Sequence, residues 1–255
     1  MSILDKITKT EAKAPRLTIY GKPGIGKTTL AKCFPKPLFI LTEETGMPGI
    51  EALGPFTSFS SIWSCVKELE QEESLPYQTI VIDSVSKLDQ LIVNHILDNA
   101  PLNGKRANLA TVHGGWGAGY QAAQEMHRAF KHMLDKLQQK NITVIYLAHL
   151  TAIKHKAPDC EDFDIYSIVM NNNKSREVYI DDVDAVLFCK LKSYMHTTES
   201  GRMMVNSTND RIITASISDN HVSKNRFNMP EEIPLEFEEL AKYIPFYQQT
   251  QKEKS

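Results

Sequence analysis

Apolar positions along this chain fall into two patterns. Some form largely apolar blocks, residues 17–20, 37–41, 79–82 and 142–148, and residues 183–191 and 211–216 also have strand character. A short unbroken block suits a strand buried on both faces of a parallel sheet. Between the blocks, apolar residues recur at helical spacing. Ile62, Val66 and Leu69 share one face, with Ser60 placed to cap that helix. Leu88, Leu91, Ile92 and Ile96 mark a second helix. Ala123, Met126, Phe130, Met133 and Leu137 mark the clearest one, over residues 120–139. Strands alternating with helices predict an α/β fold, a mostly parallel twisted sheet with helices on both faces.

Two stretches break the alternation. Residues 100–119 carry Pro101 and five glycines (Gly104, Gly114, Gly115, Gly117, Gly119), among them Lys105, Arg106, His113 and Trp116. Residues 151–177 carry Lys154, His155, Lys156, Lys174 and Arg176, with Asp159, Glu161, Asp162 and Asp164 interspersed. Both read as long loops, which in compact domains are usually functional or disordered. A Gly/Pro-rich turn is expected over 46–55, and a short amphipathic helix over 232–247. The expected organisation is a flexible segment over 1–14, one domain over 15–247 and a disordered tail over 248–255.

Composition adds exclusions. The chain has 255 residues, 42% apolar and 24% charged, which is long enough for one full α/β core. A net charge of −2 gives no global basic field, so any nucleic-acid contact must be local. Cys33, Cys65, Cys160 and Cys189 are widely spaced, which argues against a zinc ribbon or disulfide scaffold. No apolar run is long enough to span a membrane, and the first residues lack a secretory apolar core. These features predict a cytoplasmic protein.

The chemistry begins at Gly21-Lys22-Pro23-Gly24-Ile25-Gly26-Lys27-Thr28-Thr29, a match to G-x-x-x-x-G-K-[ST] between a strand and a helix start. Its backbone N–H groups and the helix N-terminus suit phosphate oxygens. Lys27 would reach the β and γ phosphates of ATP, and the Thr28 hydroxyl would ligate Mg²⁺. Asp83 ends an apolar strand downstream, the place of a carboxylate that holds the Mg²⁺ shell. Glu43 and Glu44 follow the second strand; either carboxylate would serve to orient or deprotonate the attacking water. His149 ends another strand and is a candidate hydrogen-bonding partner of the γ-phosphate. Lys224 and Arg226 lie far along the chain, where cations are candidates for completing a neighbouring subunit's site.

Read together, GKPGIGKTT, LFILTEE, TIVIDS, GGWGAGYQ, VIYLAH, VDAVLF and SKNRFNMP, in that order, resemble the RecA-like branch of P-loop ATPases. The nearest likeness is to phage-encoded RecA-like recombinases of the Sak single-strand-annealing group. The resemblance covers roughly residues 15–235 and implies a RecA-like P-loop NTPase core. It implies Glu43 as the residue that activates water, His149 as the γ-phosphate sensor, and Lys224 and Arg226 as cations acting across a subunit interface. It also implies DNA contact by the two loops, through Lys105, Arg106, Trp116, Lys154, Lys156, Lys174 and Arg176. Leu41 stands where RecA-type chains often show an Asp two residues before the catalytic Glu, which keeps Glu44 open beside Glu43. No N-terminal polymerisation segment and no separate DNA-binding domain is recognised.

The function this implies is an ATP-dependent single-stranded-DNA-binding recombinase, for annealing or strand pairing, acting as an oligomer with ATP hydrolysed between subunits. Its cofactors would be ATP and Mg²⁺. Its partners would be single-stranded DNA, further copies of the chain in a filament or ring, and a single-strand-binding protein, with no membrane. The location would be the host cytoplasm for a phage-encoded chain. Competing readings are a hexameric helicase or translocase, a small-molecule kinase, and a switch ATPase acting on a protein partner.

Overall fold

The continuous apolar runs become the centre of one sheet in a computed structural model that describes residues 11–44, 46–100, 108–156, 161–197 and 203–252. In chain order the elements are β1 (Arg16–Gly21), α1 (Lys27–Lys32), β2 (Pro37–Leu41), β3 (Glu51–Leu53), α2 (Phe59–Gln71), β4 (Thr79–Asp83) and α3 (Val85–Asp98). Then come α4 (Ala118–Gln138), β5 (Thr143–His155), β6 (Phe163–Ile168), α5 (Asn173–Glu177), β7 (Ala185–Thr197) and β8 (Met203–Thr214). The described chain closes with β9 (Lys224–Asn225), β10 (Ile233–Pro234), α6 (Phe237–Ala241) and α7 (Pro245–Lys252).

The sheet runs β10-β8-β7-β1-β5-β4-β2-β3, with β6 paired to β5 and β9 to β7. Strands β7, β1, β5, β4, β2 and β3 are mutually parallel; beyond β7 lie β8, antiparallel to it, and then β10, antiparallel to β8. Strand β5 lies between the P-loop strand β1 and the Asp83 strand β4. Alternate residues on each central strand feed two cores. Tyr20, Ile80, Ile82, Val144 and Tyr146 face α2, α3 and α4, whereas Leu17, Ile19, Val81, Ile145 and Leu147 face α1, α6 and α7. The α/β class and the P-loop NTPase core expected from the sequence are both present.

Several boundaries differ from the sequence reading. The cap of α2 is Ser58, whose hydroxyl accepts from the Ser61 N–H at 3.2 Å; Ser60 lies inside the helix because Phe59 must turn inward. The turn expected over 46–55 contains β3, exposed along its length and held by parallel pairing to β2. The helix expected over 232–247 is β10, α6 and the start of α7, and α7 continues into the stretch read as a tail.

The largest correction concerns residues 151–177. The strand expected to stop before His149 continues to His155, and β6 returns antiparallel beside it, with Lys154 opposite Asp164. The first six residues of β5 are buried and the rest are partly or fully exposed. The exposed half has mixed charge and no apolar run, so it carried no strand signature. Its hydrogen bonds come from pairing instead.

Candidate active site

The site forms where β1, β2 and β4 end and where β5 passes beyond its pairing with β1 at His149, since parallel strands bring these points to one edge. At that edge Gly21 meets the carbonyl of Cys189 on β7; a Cβ there would lie 2.4 Å from that oxygen, so only glycine fits. Gly26 has φ 111° and caps α1 in the left-handed region, which turns the loop amides inward. Lys27 donates from Nζ to the Gly21 carbonyl at 3.0 Å and the Lys22 carbonyl at 3.2 Å. Burial lowers the pKa of its ammonium, which favours an anionic partner.

Thr28 Oγ1 donates to Asp83 Oδ2 at 3.0 Å. Burial pushes the Asp83 carboxyl above its ordinary value despite that hydrogen bond. Oδ1 accepts nothing among the described residues. A hydroxyl beside a half-buried carboxylate with a spare oxygen is the hard-oxygen donor set that suits Mg²⁺. The two residues therefore fit the ion the P-loop implies.

Glu43 separates clearly from Glu44. The Ser84 hydroxyl donates to Glu43 Oε1 at 2.7 Å, and His149 Nε2 bonds the same oxygen at 2.8 Å. The His149 hydrogen bond, with Ser84 in support, holds Glu43 below the usual carboxylate range. Oε2 accepts nothing among the described residues. Glu44 is exposed and has no such partners. The backbone of His149 is fixed from both sides, its N–H on Ser86 Oγ at 3.0 Å and its carbonyl accepting from Val169 N at 2.9 Å.

Lys224 and Arg226 are elsewhere. β9 pairs with Ala185 and Val186, the first residues of β7, whereas the P-loop end of β1 pairs with Cys189. The two ends are separated by four residues of strand, about 13 Å. Arg226 bonds Asp184 at 3.1 Å, and the Lys224 ammonium donates to the Asp181 carbonyl. The pair thus lies at the opposite sheet edge from its own P-loop.

The residues read as DNA contacts separate into groups. Trp116 is fully exposed, just before α4, at the same edge as the P-loop. Lys154 and Lys156 are exposed on and beside the β5–β6 hairpin, and Lys174 is exposed on α5. Arg176 is corrected. It is buried, donating to the Ile168 carbonyl at 3.1 Å and to Asn173 Oδ1 at 2.6 Å, so it holds the hairpin return and is not exposed as the loop reading expected. Lys105 and Arg106 lie outside the described residues.

Sequence reasoning missed Arg211. A Cβ on Gly26 would lie 3.2 Å from its guanidinium, and Arg211 lines the cavity shared by Lys27, Thr28 and Thr29. It arrives through the antiparallel return of β8 along β7, where it pairs with Leu191. Nothing local in the sequence announces that approach.

The sequence matches the AAA_24 family, described as an AAA domain, over residues 13–227. Comparison with curated proteins finds no match. Among solved structures, the chain is similar to the flagellar accessory protein FlaH from Methanocaldococcus jannaschii. That likeness has 11% identity, covers 91% of this chain and 89% of that one, and has a TM-score of 0.40. It is also similar to a KaiC-like protein from Pyrococcus horikoshii OT3, at 12% identity, 87% and 85% coverage and a TM-score of 0.40.

Proposed function

The chain belongs to the AAA_24 family of AAA domains, and we propose that it is an ATP-dependent recombinase. It binds single-stranded DNA as an oligomer and hydrolyses ATP at the interfaces between its copies. The observation that carries this reading is one continuous strand. β5 presents His149 to Glu43 at 2.8 Å and then runs on to Lys154 and His155, in the hairpin beyond the sheet edge. A change at the γ-phosphate therefore has a direct mechanical path to an exposed, lysine-bearing surface.

Within the site, Lys27 leaves its two loop carbonyls for the β and γ oxygens of ATP. Glu43 orients the attacking water and takes its proton on Oε2, while His149 and Ser84 hold Oε1. Thr28 and Asp83 would hold Mg²⁺, which would supply charge neutralisation at the phosphates. The far-edge placement of Lys224 and Arg226 supports a role on the adjacent copy's γ-phosphate, as cations supplied in trans.

The test is ATP turnover with and without single-stranded DNA, followed by electron microscopy of the same samples. The reading expects DNA-stimulated turnover and a filament on DNA. A closed hexamer would make the chain a ring motor. A DNA-indifferent monomer would make it a kinase or a protein-directed switch.

A further inference from the structure

A cavity of about 620 Å³ flanks the P-loop on the side away from Glu43, between the β5–β6 hairpin and the β7–β8 pair. It is lined by the outer face of the loop, by Leu150 and Tyr166 of the hairpin, by Phe188 and Lys190 of β7, and by Arg211 of β8. Lys22, Lys190 and Arg211 contribute three cations, and among the described residues no carboxylate lines the space. The hairpin itself is different, since Lys154 faces Asp164 across the pairing and Glu161 and Asp162 lie close in sequence. The cavity is therefore the more uniformly positive surface at this edge.

Its aromatic wall is built in layers. Tyr20 stacks on Phe188 at 5.0 Å, and Phe188 meets Tyr166 at 5.6 Å. Tyr166 is nevertheless 44% exposed. Its backbone is pinned: the carbonyl accepts from Val222 N at 2.8 Å and from the Tyr20 hydroxyl at 3.3 Å, and its N–H reaches the Asn220 carbonyl. An open ring on a rigid backbone beside cations is the pairing that recognises a nucleobase with its phosphate. The volume falls in the range of small-ligand pockets.

We propose that this cavity is a second nucleotide site, holding one nucleotide unit of a single DNA strand with its base on Tyr166 and its phosphate against Lys22, Lys190 and Arg211. The inference rests on the single-strand reading above and moves the main contact from the hairpin tip to the cleft at its base. Arg211 lines both this cavity and the one around Lys27 and Thr28, so nucleotide in one alters the charge available in the other.

The test is binding of a labelled oligo-dT, followed by fluorescence anisotropy across a salt series with ATP analogue and Mg²⁺ present. Tyr166→Ala should weaken binding roughly 5- to 140-fold, the loss of one base stack. Tyr166→Phe should stay near wild type. Lys190→Ala should flatten the log–log salt slope by about 0.7. Arg211 stays intact because it also serves the ATP cavity, and DNA-independent ATP turnover reports that the variants fold. Lys190→Ala carries the test by itself if Tyr166→Ala does not fold. Wild-type affinity and slope in both Ala variants would overturn the cleft and leave the single-strand reading standing. A wild-type chain that binds no strand would overturn both. Binding of dTMP to Lys27→Ala protein, lost on Tyr166→Ala while strand binding is unchanged, would make the occupant a free nucleotide and overturn the strand assignment.

Discussion

Glu43 meets two donors through one oxygen and leaves the other for water, and this asymmetry sets what substitution does. Glu43→Gln keeps both donors' neighbourhood but cannot take a proton. ATP binding should survive while single-turnover hydrolysis falls about 10²- to 10⁴-fold. Glu44→Gln should hydrolyse at nearly the wild-type rate in the same quench experiment. The pair also gives a pH dependence. Glu43 sits below its ordinary value of 4.5, so its interactions stabilise the fold above that pH and are lost as pH falls through the lowered value. Both side chains are about a third exposed, 35% and 36%, so the contribution is at most about 1 kcal/mol. The stability gap between wild type and Glu43→Gln should therefore close as pH falls below the ordinary value of 4.5, read by urea midpoints across a pH series. At this scale the P-loop and Asp83 were legible because their spacing is local. Arg211 was not, because its approach to Gly26 depends on a strand that returns from far along the chain.

Among the elements, the β5–β6 hairpin is held to the helical layer by a buried network. His127 Nε2 bonds Asp89 Oδ1 at 2.9 Å, and its Nδ1 bonds the Tyr179 hydroxyl at 3.0 Å. Asp89 Oδ2 accepts from Asn171 N at 2.8 Å and from its side-chain amide at 2.6 Å. With Asp89 accepting, Nε2 donates, and Nδ1 pairs with the Tyr179 hydroxyl on the other side. Four elements meet here: α3, α4, the segment after β6, and the chain after α5. His127 and Tyr179 are wholly buried and Asp89 nearly so. His127→Ala would strand a carboxylate and a hydroxyl, costing about 2–5 kcal/mol in urea denaturation. Loss within 0.5 kcal/mol of wild type would mean the network relaxes onto water. None of this was legible in sequence. Asn171 lies in the stretch expected to be a long loop and His127 within the helix expected over 120–139, and their link through Asp89 exists only once the hairpin folds back. By contrast α4 itself was read nearly to its ends, since 21 residues of strict periodicity leave little choice.

Across the whole molecule, the sheet has two chemically distinct edges. One carries the P-loop, Glu43, Asp83 and His149; the other carries Lys224 and Arg226, with Arg226 and Arg16 both held by Asp184. The parallel order explains why the first group converged as expected from strand ends alone. The second group's position follows from β9 pairing with the start of β7, which no spacing rule reveals. Under the proposed trans arrangement a second copy would complete the site with Arg226, and a trans cation is worth about 10³–10⁵ in rate. Isolated protomers should hydrolyse ATP slowly, Arg226→Ala should bind ATP normally yet stay slow on DNA, and Lys27→Ala should fail to hydrolyse. The most direct test mixes Arg226→Ala with Lys27→Ala at graded ratios on single-stranded DNA and follows ATP turnover. Interfaces that pair an intact P-loop with an intact Arg226 should return activity, peaking at intermediate ratios. Flat, near-zero turnover at every ratio, with co-assembly confirmed, would contradict hydrolysis across the interface.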